Sequence, residues 1–272
     1  MKEKPNVITH YPDFPSHYVI PRQVDVWLPP DYEADTARRY PVLYMHDGQN
    51  LFDPATSTLQ VDWGVDEALE RLIAGGSVPP TIVVGVWCTA LRVREYLPER
   101  PFTTPAGQQK LRAMSPELQG GPLSDAYLRF LTSELKPFID AAYRTRPERE
   151  ATTIMGSSMG GLISLYAVCE YSDVFAGAGC VSTHWPIGDG LIVDVLAGML
   201  PPPGRHKFYF DFGTETLDAL YEPYQQRADA VMAAAGYTQG QDWLTRKFPG
   251  AEHSERSWRE RVHIPLEFLL GA

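Results

Sequence analysis

The sequence predicts an α/β fold, a mostly parallel central sheet with helices on both faces. Two observations carry that prediction. Short apolar runs alternate along the chain with amphipathic stretches of helical period. Hydrophobic residues make up 44% and charged residues 21% of 272 residues, an ordinary globular balance that fits one large domain over 1–272 better than two small ones.

The expected strands, in order, are the apolar runs Gln23–Leu28, Pro41–Met45, Thr81–Trp87, Ala151–Met155, Gly177–Val181, Lys207–Phe212 and Trp243–Phe248. The helical pattern falls between them at Val65–Ala74, Asp125–Tyr143, Gly160–Tyr171, Asp218–Ala235 and Glu255–Leu270. Ser124 is the expected N-cap of the second helix, because its hydroxyl can accept from an unpaired backbone N–H. Pro137 lacks a donor inside that helix and predicts a kink. The least regular stretch, 98–122, is rich in Pro, Gly and Gln and reads as a loop or lid.

A formal net charge of −10 argues against nucleic acid and anionic membranes as partners. It leaves a neutral or cationic small molecule unhindered. The N-terminal MKEKPNVITHYPDFPSHY has no continuous apolar core of a secretory signal, and no run reaches the roughly 18 apolar residues of a membrane helix. Cys88, Cys169 and Cys180 are odd in number and widely spaced, as expected of reduced thiols rather than a disulfide framework. These features together predict a soluble, cytoplasmic protein.

The segment ATTIMGSSMGGLISLYAVCEY holds Gly156-Ser157-Ser158-Met159-Gly160, a G-x-S-x-G match with a β-branched strand before it and a helical pattern after it. A side chain perched on so tight a turn needs small neighbours two residues away, which Gly156 and Gly160 supply. Ser158 is therefore the candidate nucleophile; Ser157 lacks the symmetric glycines. The N–H of Met159, at the helix N-terminus, is placed to stabilise an oxyanion. The competing reading, a glycine-rich phosphate turn, lacks G-x-x-x-x-G-K-[ST] and G-x-G-x-x-G patterns.

Together with YPVLYMHDGQNLFD, this segment resembles the putative-esterase family of α/β-hydrolases, which includes enterochelin esterase-like, feruloyl and acetylxylan esterases and the mycolyltransferases. The resemblance runs from about Arg22 to Leu270 and implies the α/β-hydrolase fold, a Ser–acid–His triad and acyl chemistry. It further implies a second oxyanion donor just beyond Asp47-Gly48, the backbone N–H of Gln49.

In this fold the triad follows the order Ser, Asp/Glu, His. The base is expected to be His253 in FPGAEHSERSW, since His10, His17, His206 and His263 fall elsewhere. DFGTETLDALYEPY offers two acids, Glu215 and Asp218, of which Asp218 is favoured. His46 adjoins the oxyanion loop. His184, in STHWP, follows a strand ending near the site, and it and Trp185 are the candidate substrate-binding residues. Trp63, Trp87 and Tyr221 are further aromatics in loops at that edge, more readily assigned to the core. Arg92 and Arg94 could meet an anionic substrate or tie loops down through Glu95 or Glu99. No metal-ligand spacing such as H-E-x-x-H or C-x-x-C is present, and the expected chemistry needs no cofactor.

The function expected is a serine carboxylic-ester hydrolase acting on a small-molecule ester through an acyl-enzyme. An acyltransferase would share that intermediate and change the acceptor. A non-catalytic binding protein on the same fold would have no need of all three triad residues.

Overall fold

The computed structural model describes residues 8–114, 118 and 120–271. Eight strands form one sheet: β1 (Ile8–Phe14), β2 (Arg22–Trp27), β3 (Val42–His46), β4 (Ile82–Val86), β5 (Thr152–Ser157), β6 (Gly177–Val181), β7 (Lys207–Gly213) and β8 (Trp243–Phe248). Their spatial order is β1-β2-β4-β3-β5-β6-β7-β8. β2 runs antiparallel to both β1 and β4, and every other neighbouring pair is parallel. The ten helices are α1 (Val65–Ala74), α2 (Arg92–Tyr96), α3 (Pro105–Ala113), α4 (Ser124–Phe130), α5 (Lys136–Ala142), α6 (Met159–Glu170), α7 (Leu191–Val195), α8 (Glu222–Ala234), α9 (Glu255–Arg261) and α10 (His263–Leu270) among the described residues.

Parallel strands need cover on both faces, and the apolar runs supply side chains to both. In β3, Val42 and Tyr44 join a core containing residues of α4, α5, α6 and α8, while Leu43 and Met45 join a second core with α1, α9 and α10. In β7, Phe208 and Phe210 point to the first core and Tyr209 to the second. This is the two-residue alternation of a strand read on both sides of one sheet.

Each of the seven expected strands is present, with ends displaced by no more than two residues. β1 was not expected. It is an edge strand, and its register with β2 shifts between Tyr11 and Phe14, where Pro12 sits and no ladder N–H is required. The expected helix over 125–143 is continuous in space but widens to a π turn at Leu131–Leu135, directly before Pro137. Ser124 does not cap it. Its hydroxyl instead accepts from the N–H of Glu99 at 2.9 Å, tying the preceding loop to the helix. The final expected helix is two, α9 and α10, parted at Val262.

The stretch 98–122 is more regular than its composition suggests. It contains a 3-10 turn, Arg100–Thr103, and α3 with Thr104 as N-cap, while residues 115–117 and 119 lie outside the described residues. It packs beside α6, where the N–H of Arg100 meets the Tyr166 hydroxyl at 3.2 Å and its guanidinium pairs with Glu170 at 3.0 Å. No helix among the described residues is long and apolar enough to cross a membrane.

Candidate active site

The carboxyl ends of the parallel strands bring three turns together, the position at which open α/β sheets carry ligands. The first follows β5. Ser158, between β5 and α6, has φ 58° and ψ −119°, a conformation costly for any residue with a side chain. The surroundings hold it there. Its N–H donates to the Val181 carbonyl at 2.9 Å, and its carbonyl accepts from Gly161, Leu162 and His184 at 3.1–3.2 Å. A Cβ on Gly156 would lie 2.9 Å from the Gly160 carbonyl carbon, and one on Gly161 would lie 3.2 Å from Thr183 Oγ1 and 3.3 Å from Cys180 Cα. The two glycines thus let the strand turn back and let α6 press against β6. Ser157 is buried at the strand end, whereas Ser158 is partly exposed.

The second turn follows β3. Asp47 takes the left-handed conformation (φ 57°, ψ 48°) ahead of a 3-10 turn at Gly48–Asn50. A Cβ on Gly48 would meet the Gly85 backbone at 2.7 Å. Arg92 grips Asp47 bidentately, with Nε to Oδ1 and Nη2 to Oδ2 both 2.7 Å. The Gln49 side chain is pinned to Cys88, its Nε2 donating to Sγ at 3.1 Å and its Oε1 accepting from the Cys88 N–H at 3.3 Å. The turn abuts α6, since a Cβ on Gly160 would lie 3.4 Å from His46 Cβ and 3.5 Å from Asp47 Oδ2. Among the described residues no protein acceptor takes the backbone N–H of Gln49 or of Met159.

The third set joins the loops after β7 and β8. His253 Nδ1 lies 2.6 Å from Asp218 Oδ1. Asp218 Oδ2 accepts from Ser182 Oγ and from the Gly213 N–H, each at 2.6 Å. Burial alone would raise this carboxyl's pKa, but the hydrogen bonds from His253, Ser182 and Gly213 together outweigh it and hold the pKa below its ordinary value. An ionised Asp218 can only accept, so His253 donates to it from Nδ1 and turns Nε2 away from the acid. The loops are laced by backbone bonds, Thr214 and Glu215 N–H to the Ala251 carbonyl at 3.1 and 3.0 Å, and His253 N–H to Thr216 Oγ1 at 2.8 Å. Glu215 is exposed and takes no part in the pair; its carboxylate accepts from Thr214 at 3.2 Å.

Ser182 was not singled out in the sequence, yet its hydroxyl uses its full capacity. Besides donating to Asp218, it accepts from Trp258 Nε1 at 3.0 Å and Arg261 Nη2 at 2.9 Å. Arg261 in turn holds the buried Asp211 at 3.1 and 3.2 Å. The His253 ring stands between the edges of two aromatics, Trp258 at 5.0 Å and Tyr221 at 5.7 Å.

The other candidates fall in different places. Trp185 does not line an open wall: it is fully buried, packs on Phe210 and donates from Nε1 to Gln225 at 2.7 Å. Trp87 donates to Asp25 at 2.6 Å, and Trp63 packs on Trp258 at 5.3 Å. His184 is at the site, its Nδ1 2.7 Å from the Tyr221 hydroxyl. Burial, with His253 and Arg92 nearby, pushes its pKa down to about 4. His46 is sealed below the Gly48–Asn50 turn against the Tyr127 hydroxyl at 2.8 Å. Neither arginine pairs with Glu95 or Glu99. Arg94 donates to the carbonyls of Gly120 and Gly121, and Glu95 meets Arg22 in the core. Ser158 and His253 make no direct hydrogen bond among the described residues, where His253 Nδ1 pairs with Asp218. A cavity of about 460 Å³, lined by Pro41, Thr153 and Lys207 among others, opens at the amino ends of the strands, at the opposite edge of the sheet.

The sequence model of a family described as "Putative esterase" matches residues 20–263. The chain belongs to this family, and fold and family together make it a carboxylic ester hydrolase of the α/β-hydrolase type. The uncharacterized protein YbbA of Bacillus subtilis (strain 168) is 23% identical over 257 residues, covering 92% of this chain and 93% of that protein. Ferri-bacillibactin esterase BesA of the same organism is 30% identical over 153 residues, 54% of this chain and 49% of BesA, so the match spans about half of that protein. Among solved structures, a ferulic acid esterase superimposes with a TM-score of 0.69 at 19% identity, covering 97% of this chain and 98% of the other.

Proposed function

We propose that the chain hydrolyses small-molecule carboxylic esters through a covalent acyl-enzyme on Ser158, with His253 as general base and Asp218 as its orienting acid. The observation that carries this reading is the buried Asp218 carboxylate bound 2.6 Å from His253 Nδ1, with Ser158 held at a strained strand–helix turn.

Serine is a weak nucleophile until a base takes its proton. Rotation about the Ser158 Cα–Cβ bond carries Oγ toward His253 Nε2, the tightening that substrate brings in apo sites of this kind. Oγ attacks the ester carbonyl carbon as Nε2 takes the proton. The N–H groups of Gln49 and Met159 receive the oxyanion, each contributing about 3–4 kcal/mol of transition-state stabilisation. The C–O bond to the alcohol breaks, and the alcohol leaves with the proton from Nε2. Water, losing a proton to the same nitrogen, then attacks the acyl carbon, and Oγ departs with that proton. Arg92 fixes the oxyanion turn through Asp47. The segment 98–122, joined to α2 through Arg94, is the proposed lid.

Acid-quenched mass spectrometry during turnover of p-nitrophenyl acetate tests this reading. The expected result is an acetyl adduct on the peptide containing Ser158; turnover with acyl group on another residue, or on none, contradicts it.

A further inference from the structure

We infer that Asp211 and Arg261 are positioning residues behind the triad. With Ser182 they hold Asp218 toward His253, and Asp211 cancels the charge of Arg261 so that the charge of Asp218 is left for the imidazolium. The inference rests on the proposed acyl-enzyme and deepens the reading of the same site.

Three elements meet behind Asp218. Ser182 follows β6, Asp211 lies in β7 on the same face as Tyr209, and Trp258 and Arg261, three positions apart, share a face of α9. Ser182 has φ 42°, a left-handed angle that favours glycine. The side chain kept there at that cost is a hydroxyl with three partners, Asp218 Oδ2 at 2.6 Å, Arg261 Nη2 at 2.9 Å and Trp258 Nε1 at 3.0 Å.

Asp211 is fully buried, and each of its oxygens accepts twice. Oδ1 takes the Ser182 N–H at 3.0 Å and Arg261 Nη2 at 3.1 Å; Oδ2 takes the Tyr209 hydroxyl at 2.9 Å and Arg261 Nε at 3.2 Å. A carboxyl met only by donors is held as the carboxylate. Arg261 is buried too, with the Phe248 ring 4.8 Å from its guanidinium. A second carboxylate is within its reach: Nη2 lies 3.9 Å from Asp218 Oδ2. The shorter bonds to Asp211 keep Nη2 from closing that gap.

A buried ion pair adds little stability over apolar residues of the same volume, so packing does not require these two charges. The proton transfer does. While Asp211 and Arg261 cancel, the charge of Asp218 stays unbalanced, and His253 becomes its counter-charge when Nε2 takes the Ser158 proton. Without Asp211, Arg261 would supply that counter-charge in advance and oppose the imidazolium. Without Arg261, a second carboxylate would add to Asp218 and hold the proton on the base.

The test is the pH profile of kcat/KM on p-nitrophenyl acetate, whose acidic limb reports protonation of the free enzyme's base. Circular dichroism and melting temperature show which variants fold. Asp211→Asn is expected to move the midpoint of that limb down, and Arg261→Gln to move it up, each by about one pH unit, the scale of one unbalanced buried charge. The double variant, Asp211→Asn with Arg261→Gln, is expected back at the wild-type midpoint although both side chains have changed. The other ionisable groups near His253, namely His184, Tyr221 and Glu255, are the same in every variant. A role in packing alone would cost stability in all three variants and leave their midpoints together. Should Arg261→Gln misfold around its unpaired carboxylate, Asp211→Asn and the double variant carry the test. Midpoints that stay at the wild-type value in folded single variants, that move in the same direction in both, or that fail to return in the double variant overturn the assignment. Ser158→Ala separates the two readings: turnover that survives it defeats the serine mechanism itself, whereas an inert Ser158→Ala beside unmoved midpoints defeats only the role of Asp211 and Arg261.

Discussion

Asp218 and Glu215 lie three positions apart in one loop, and their environments decide their roles. Asp218 is buried under three hydrogen bonds, one of them from His253, while Glu215 faces solvent. Asp218→Asn leaves the geometry but turns the imidazole tautomer, and kcat is expected to fall by about 10⁴. Glu215→Gln is expected to stay within about threefold, because an exposed carboxylate couples weakly to its surroundings. Steady-state kinetics on the two variants decides between them. Ser182→Ala strips the donor from Asp218 and leaves Trp258 Nε1 without its partner, a loss expected to cost about 1–3 kcal/mol in urea denaturation. At this scale Ser158, Asp218 and His253 could be named as candidates, since chain order and glycine spacing are sequence properties, and the fold adds the 2.6 Å pairing of the last two. Ser182 was not, because its importance comes from Trp258 and Arg261, more than 70 positions downstream. Trp185, expected at the site, is buried on Phe210 and Gln225 for the same reason: where an aromatic ends up depends on how a loop turns after its strand.

The turn at Gly48–Asn50, the proposed oxyanion turn, shows what elements add. Asp47 adopts positive φ because Arg92, at the start of α2, holds both carboxylate oxygens while Gly48 presses on β4. Freeing that turn misaims the Gln49 N–H, so Arg92→Ala is expected to lower kcat by about 10- to 100-fold with little change in KM. Arg92→Lys restores little, since an ammonium cannot reproduce the two-pronged grip. Equal kinetics for Arg92→Ala and wild type would remove the turn from the mechanism. The apolar runs announced the buried strands, but short elements escaped. β1 contains a proline that only an edge position tolerates, and α2 and α7 are five-residue helices stabilised by packing rather than by their own periodicity. Ser124 carried a capping signal, but its hydroxyl was taken by Glu99 from another loop.

Across the molecule, the alternating pattern of strands and helices made the α/β class readable, because a sheet covered on both faces demands apolar runs of that length and spacing. The left-over charge chemistry became visible only in the fold. Burial lowers His46 to about 3 and His184 to about 4, against about 6.5 in the unfolded chain. Below pH 6.5 the unfolded state therefore takes up protons that the folded state refuses, and the stability these residues contribute is present above about 6.5 and lost as pH falls toward their folded values. Urea unfolding at pH 7 and pH 5 is expected to show this loss, about 2 kcal/mol of it from His46, and His46→Gln should flatten the dependence by that amount. An unchanged slope would contradict the neutral, buried assignment. The claim on which the whole account turns is the reactivity of one hydroxyl, and labelling with a fluorophosphonate followed by peptide mapping measures it directly. One adduct per chain, located on Ser158 and absent from Ser158→Ala together with a loss of about 10⁶ in turnover, is the predicted result; labelling or full turnover that survives Ser158→Ala would contradict it.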